Sequence, residues 1–276
     1  MPFNPSDVNV WRSPDLGAEL LRGTFVDFSY DVHTHDTACF ALLTEGNIRI
    51  RTRGNEFIAR RGDLYAIDAD EPHAGWPVTS RGWSLRTLYV DIENLRQQVD
   101  ERGARHSLSI SGPIIKDPEL TAMLYALHRS SETQGSQLYR DRAYMAFSNT
   151  LMTRYVKDAA KLPAGGPELS AVRRAREFLD EHLGDHVSLM DIALQAGITQ
   201  FRLFRAFERQ YGMTPHAYQR QARVRYAITL LRNNCTLSQA GILSGFADQA
   251  HFNRWFRRFM GITPGQYQKA LRGSKK

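Results

Sequence analysis

The sequence predicts an α+β protein of two domains. A strand-rich β-sandwich or barrel with helices behind it comes first, and an all-α domain with two helix-turn-helix units follows. Three features carry that prediction. Apolar–polar alternation broken by Gly-containing turns fills residues 19–92, helical periodicity takes over from residue 118, and a segment near residue 200 recurs near residue 250. Many short, evenly spaced strands read as a sandwich or barrel. A recurrence of that length reads as a repeated supersecondary unit. The composition shifts place a first domain at 1–160, a linker at 161–169 and a second domain at 170–276, and 276 residues suffice for two.

In the strand region, "IRIRTR" alternates strictly, with Ile48 and Ile50 on one face and Arg49 and Arg51 on the other. The runs "CFALLT", "DLYAI" and "WSLRTLYVDI" are separated by the turns "EGN", "RGNE", "RRGD" and "SRG". Residues 118–132 and 137–158 then read as helices. In the second, Leu138, Tyr144, Met145, Ser148, Leu151, Met152 and Tyr155 recur at steps of three or four. Such a stripe packs either on the strand domain or on a second copy of the chain. "KLPAGGPEL", Lys161 to Leu169, holds two Pro and two Gly within nine residues, a linker composition.

The remainder reads as short helices with clear punctuation. At an offset of 49, Arg205, Phe207, Arg209, Gly212, Thr214, Pro215, Tyr218 and Gln219 fall on Arg254, Phe256, Arg258, Gly261, Thr263, Pro264, Tyr267 and Gln268. Each copy opens with a helix after a capping residue, Ser188 or Thr236, and a glycine ends it, Gly197 or Gly245. A second helix follows, with core positions at Leu203 and Phe207 or Phe252 and Phe256, and stops at Gly212 or Gly261. Two short helices about a Gly-bearing turn, the second one basic, form the helix-turn-helix pattern. The first helices align at an offset of 48, so the second turn, "GFAD", is one residue longer than "GIT".

Charge supports the division. The net charge is +7, but residues 1–160 carry −3 and residues 161–276 carry +10. A near-neutral part joined to a basic part suits one domain indifferent to polyanions and one that binds them. DNA is favoured over RNA because the aromatic stacking motifs of RNA-reading modules are absent from the sequence. Cys39 and Cys235 lie far apart without metal-type spacing and read as two reduced thiols of a cytoplasmic protein. The start of the sequence lacks a signal-peptide pattern and no apolar run is long enough to span a bilayer, so no membrane partner is expected. Neither a Ser/His/Asp or Cys/His set, nor a phosphate loop, nor paired carboxylates in context can be assembled, so no enzyme activity and no cofactor is expected.

The motif "GFADQAHFNRWFRRFMGITPGQY", together with "SLMDIALQAGITQFRLFRAFERQYGMTPHAYQ", resembles the AraC/XylS family of bacterial transcription regulators over residues 170–270. That resemblance implies two DNA-reading units held by a connecting helix, here "AYQRQARVRYAITLLRN", on promoter DNA. It also implies a homodimer, RNA polymerase as a further partner, and activation more often than repression. Carried over by position, Gln249, Ala250, His251 and Arg254 are base-facing in the second unit; Phe201, Phe204 and Arg205, with Gln200 beside them, match in the first. Arg254 suits guanine and Gln249 adenine. The phenylalanines touch thymine methyls, or Phe204 is core. Arg202, Arg209, Arg257 and Arg258 contact phosphate or are merely solvated. The sequence departs from the family at Ala240 and Gly241, where the family usually has Ile-Ala. A glycine inside a helix costs about 1 kcal/mol against alanine, so a looser helix is expected there.

The segment "VHTHDTACFALLTEGNIRIRTRGNEFIARRGDLYAIDADEPHAGWPV" resembles the cupin-like sensor domain of the same family, which implies a cupin-like β-barrel holding a small-molecule effector. His35, His73, Trp76, Arg86 and Tyr89 are its ligand-binding candidates, with Trp83 nearby. An inward Arg86 would favour an anionic ligand. His33, His35 and His73 have the spacing of a three-imidazole metal site. The Glu that metal-binding cupins place after H-x-H, with three or four residues in between, is replaced by Cys39 and Phe40. Two rival readings stay open, a metal-dependent cupin enzyme fused to a DNA-binding domain and a ligand-independent regulator whose barrel only dimerises.

Overall fold

The 15-residue strand Ala38–Thr52 organises the N-terminal half. The structure, a computed structural model, describes residues 8–13, 16–92, 95, 108–133, 136–158, 167–185 and 187–273. Its strands are β1 (Val8–Ser13), β2 (Ala18–Phe25), β3 (Tyr30–His33), β4 (Ala38–Thr52), β5 (Asn55–Arg60), β6 (Leu64–Ile67), β7 (His73–Pro77), β8 (Trp83–Val90), β9 (Leu108–Ile110), β10 (Ile114–Ile115) and β11 (Val156–Asp158). The hydrogen-bonded order is β1-β2-β8-β4-β6-β10, with β5 and β7 also on β4. The first half of β4 pairs with β8 and β6, and the second half with β5 and β7. A register irregularity between Leu43 and Glu45 lies between these halves. Such a bulge bends a strand and lets it serve two layers.

Helices α1 (Pro118–Glu132) and α2 (Gln137–Tyr155) cover one face of this sheet. Leu20, Phe40, Leu88 and Val90 from the strands form one core with Leu120, Leu124 and Leu127 of α1 and with Phe147 and Leu151 of α2. Phe40 meets Phe147 edge-on at 5.8 Å. The Asp117 carboxylate caps α1 by accepting from the Glu119 and Leu120 amides, each at 3.0 Å. Strands are present from Val8, earlier than the sequence pattern indicated. The helix expected over 137–158 ends at Tyr155, and Val156–Asp158 pair antiparallel with Leu108–Ile110 instead. That long-range pairing leaves no local trace in the sequence. Of the expected apolar stripe, Tyr144, Ser148 and Leu151 are buried, whereas Leu138 and Met145 are exposed and Phe147 supplies the core contact.

The contacts divide the chain into two compact units, of which the second takes in Tyr30–His33 and Lys161–Lys269. Residues 159–166 lie outside the described residues, and so does most of the expected linker. Pro167–Leu169 already belong to α3 (Pro167–Glu181). Then come α4 (Leu189–Ala196), α5 (Gln200–Tyr211), α6 (Pro215–Arg232), α7 (Leu237–Leu243), α8 (Gln249–Met260) and α9 (Pro264–Gly273). Both predicted caps are capping boxes, Ser188 with Asp191 and Thr236 with Gln239. These satisfy amides that the first turn of a helix leaves unpaired. Gly197 takes the left-handed conformation at φ +70° and Gly245 at φ +79°.

One core joins α3, α4, α5 and the start of α6 through Val172, Leu179, Ile192, Leu203, Phe207 and Tyr218. Further along α6, Ala227, Ile228 and Leu231 are buried, and α6 packs on α7 and α8. A chain of rings runs from Phe246 through Phe252 and Phe256 to Tyr267, with centroids 5.2 to 5.6 Å apart. Gly241 is buried in α7. A Cβ there would stand 3.3 Å from the Phe252 ring, so the missing side chain makes room for α8. The expected looseness of this helix thus has a packing counterpart.

Candidate nucleic-acid interface and ligand pocket

Helices α5 and α8 carry the basic surface. Thr199 caps α5 and Asp248 caps α8, each accepting from the third amide of its helix. Both helices end at a left-handed glycine, Gly212 and Gly261. Each buries one stripe, Leu203, Ala206 and Phe207 on α5 and Phe252, Phe256 and Phe259 on α8. The opposite stripe is exposed. On α5 it holds Gln200, Phe201, Arg202, Phe204, Arg205 and Arg209; on α8 it holds Gln249, Ala250, Arg254, Arg257 and Arg258. Phe204 is therefore not core; it is 38% exposed. Phe201 is 70% exposed, and the Arg205 guanidinium lies 5.6 Å from its ring centroid. The guanidiniums of Arg202, Arg254 and Arg257 make no hydrogen bond or ion pair among the described residues. Arg209 pairs with Glu168 at 3.3 Å, and Arg258 stacks 5.1 Å from the Trp255 ring.

His251 differs from its neighbours. It is half-buried, edge-on to Phe246 at 5.5 Å and to Trp255 at 6.3 Å. Desolvation, then the nearby Arg254 charge, holds its pKa below the ordinary histidine value. At neutral pH it offers a neutral imidazole edge and no cation. A residue that sequence reading missed sits one turn on. Asn253 is exposed on α8, and Gln249 Nε2 donates to its Oδ1 at 3.4 Å. Its place four residues after Gln249 on the exposed face was the signal available.

Alternation along β8 sorts the sensor candidates. Tyr89 faces His35, whose ring lies 5.4 Å from it and 4.5 Å from His73. His33 Nδ1 lies 2.7 Å from the Asp31 carbonyl oxygen and His73 Nδ1 lies 2.9 Å from that of Glu71. A carbonyl only accepts, so these Nδ1 atoms carry hydrogens. Cys39 is buried beside Tyr89, and desolvation pushes its thiol pKa up. Trp76 is not brought to this group. It stands opposite Arg49 in the ladder, with the exposed Arg51 guanidinium 5.9 Å from its ring. Trp83 is buried and stacks on Phe25 at 5.4 Å. Arg86 lies on the other face of β8, where Nη1 donates to His128 Nδ1 and Glu132 Oε2 of α1, both at 2.9 Å.

Residues 15–163 match the family of AraC-like ligand-binding domains, and residues 192–270 match a helix-turn-helix domain family. The chain belongs to the AraC family of transcriptional regulators. Among relatives, it is 27% identical to the HTH-type transcriptional regulator YbfI of Bacillus subtilis over 239 residues, 86% of each chain. It is 25% identical to the HTH-type transcriptional activator RhaR of Escherichia coli over 248 residues, again 86% of each. ToxT from Vibrio cholerae shares the two-domain fold, with a TM-score of 0.58 at 13% identity, over 92% of this chain and 98% of that one. Among the described residues no helix is long and apolar enough to cross a membrane.

As an AraC-type regulator the chain presents two unlike exposed helix faces. α8 offers amides and a guanidinium, while α5 offers two aromatic rings and a guanidinium. α6 ties them together. Tyr218 OH donates to Asp180 Oδ1 at 3.0 Å in the first unit, and Arg232 Nε donates to Tyr267 OH at 3.1 Å in the second.

Proposed function

We propose that the protein is a sequence-specific activator of transcription. In this reading it binds double-stranded promoter DNA through α5 and α8, works as a homodimer with RNA polymerase as partner, and answers to a small-molecule effector held by the strand-rich domain. The domains run 1–160 and 170–276. The carrying observation is the pair of capped helices, 49 residues apart in sequence, whose exposed stripes hold guanidiniums and amides above an apolar stripe. In a major groove, Arg254 reads guanine, Gln249 and Asn253 read adenine, and Phe201 and Phe204 meet thymine methyl groups. The arginines Arg202, Arg209, Arg257 and Arg258 take phosphates.

The test is a selection from random duplex DNA with the parent and with Arg254→Ala. The parent enriches one motif, and the variant loses preference at one base pair at a cost of about 1–3 kcal/mol. An unchanged motif removes Arg254 from the reading set.

One observation favours a second reading. The rings of His35 and His73, 4.5 Å apart, suit a divalent transition metal with imidazole ligands. On this reading the metal is the effector or the centre of an enzyme activity. Elemental analysis decides it. Stoichiometric metal in the parent that disappears in His35→Ala supports it, and metal-free protein after purification and zinc titration ends it.

A further inference from the structure

The effector reading leaves open where in the N-terminal domain a small molecule binds and what chemistry it has. The helix-facing side of the sheet answers both. A cleft of about 830 Å³ opens there, floored by β2, β4 and β8 and walled by α1. Its charge is one-sided. Arg22, Arg61 and Arg86 line it, with Glu45 as the only lining carboxylate among the described residues. Arg22 and Arg86 are direct partners across the β2–β8 ladder. Like charges so placed repel. They are held by a carboxylate behind the cleft: Glu132 Oε1 takes Arg22 Nη1 at 2.5 Å and Oε2 takes Arg86 Nη1 at 2.9 Å. Arg129 binds the same oxygen as Arg86, so three guanidiniums share one anion.

The other walls have complementary chemistry. Thr24 and Ser84, paired across the strands with their hydroxyls 2.9 Å apart, line the cleft beside the arginines. Thr121 also lines the cleft. Pro118, Ala122 and the half-exposed Tyr125 ring supply an apolar side, with the Arg86 guanidinium 5.4 Å from the Tyr125 centroid. Paired guanidiniums select a planar anion, and an aromatic wall selects an apolar body.

We propose that this cleft is an effector subsite and that it takes a small-molecule carboxylate with an apolar or aromatic body. The inference rests on the effector reading above. Benzoate, the smallest probe with both features, tests it on the full chain at constant ionic strength, with benzamide as its neutral isostere. Millimolar benzoate is expected to raise the melting temperature where benzamide and added chloride do not. In Arg22→Ala, whose side chain is 37% exposed and whose loss leaves the core intact, the apparent benzoate affinity is expected to fall at least about tenfold, with unchanged circular dichroism. Equal stabilisation by benzoate and benzamide, no response to benzoate, or full benzoate affinity in Arg22→Ala each overturns the subsite. A compound of another class that stabilises parent and variant equally overturns the subsite too, while leaving the effector reading in place.

Discussion

His128 is fully buried on α1, and its two ring nitrogens have unlike partners. Nε2 lies 3.1 Å from the Leu21 carbonyl oxygen, and Nδ1 accepts from Arg86. The carbonyl requires a proton on Nε2 and the guanidinium requires a lone pair on Nδ1, so the ring is held neutral in one tautomer. Burial, then the Arg86 charge, pushes its pKa down to about 3. An unfolded histidine binds its proton near pH 6.5, so between those values the unfolded chain holds the extra proton. The stability that this site provides is therefore fully present above pH 6.5 and is lost as pH falls toward 3. The slope is at most about 1.4 kcal/mol per pH unit. Melting temperatures from pH 7 to pH 4 should show this loss in the parent and a shallower one in His128→Gln. Parallel curves would remove His128 as its source. None of this was legible in the sequence, because Leu21, Arg86 and His128 meet only through strand pairing and helix packing. Arg86 itself stood out as a candidate, but its face of the sheet depends on the register of β8.

The helix-turn-helix elements were far more legible, for a physical reason. Caps, left-handed glycines and apolar stripes are local devices, set by residues within a few positions of one another. Thr236 and Gln239 bond reciprocally at 3.0 and 3.2 Å, and Ser188 and Asp191 do the same at 2.9 and 3.2 Å. By contrast, the end of α2 at Tyr155 and the strand after it are decided by partners at 108–110, and no local pattern announces them. The glycine ending α7 shows how local and distant constraints combine. Gly245 has φ +79°, and a Cβ there would come within 2.6 Å of the Leu183 carbonyl oxygen. Left-handed geometry alone costs a residue with a side chain roughly 1 kcal/mol or more, and the backbone clash adds to it. Gly245→Ala is expected to lose about 2 kcal/mol or more in urea unfolding of the C-terminal domain and to weaken DNA binding by the second unit. A variant as stable as the parent would show that the α7–α8 turn relaxes freely.

For the molecule as a whole, the division of charge sets what DNA binding should look like. The second half carries the basic excess, and the proposed DNA-binding reading sorts the exposed arginines of α5 and α8 into two classes. Those at reading positions exchange water for base edges, which changes preference between sequences. Those at flanking positions displace counterions from phosphates, which changes affinity for every sequence alike. Each neutralised phosphate adds about −0.9 to the slope of log K against log salt on duplex DNA. Contacts from Arg202, Arg209, Arg257 and Arg258 would therefore supply about −3.6 of the total. Arg257→Ala is the cleanest probe, since its guanidinium makes no bond among the described residues and its removal disturbs no packing. Binding isotherms over a range of salt should give a slope shallower by about 1, with the selected motif unchanged. Arg254→Ala should instead alter the motif. If Arg257→Ala leaves the slope as it was, that side chain is solvated in the complex, and α8 lies in the groove with its C-terminal turn away from the backbone.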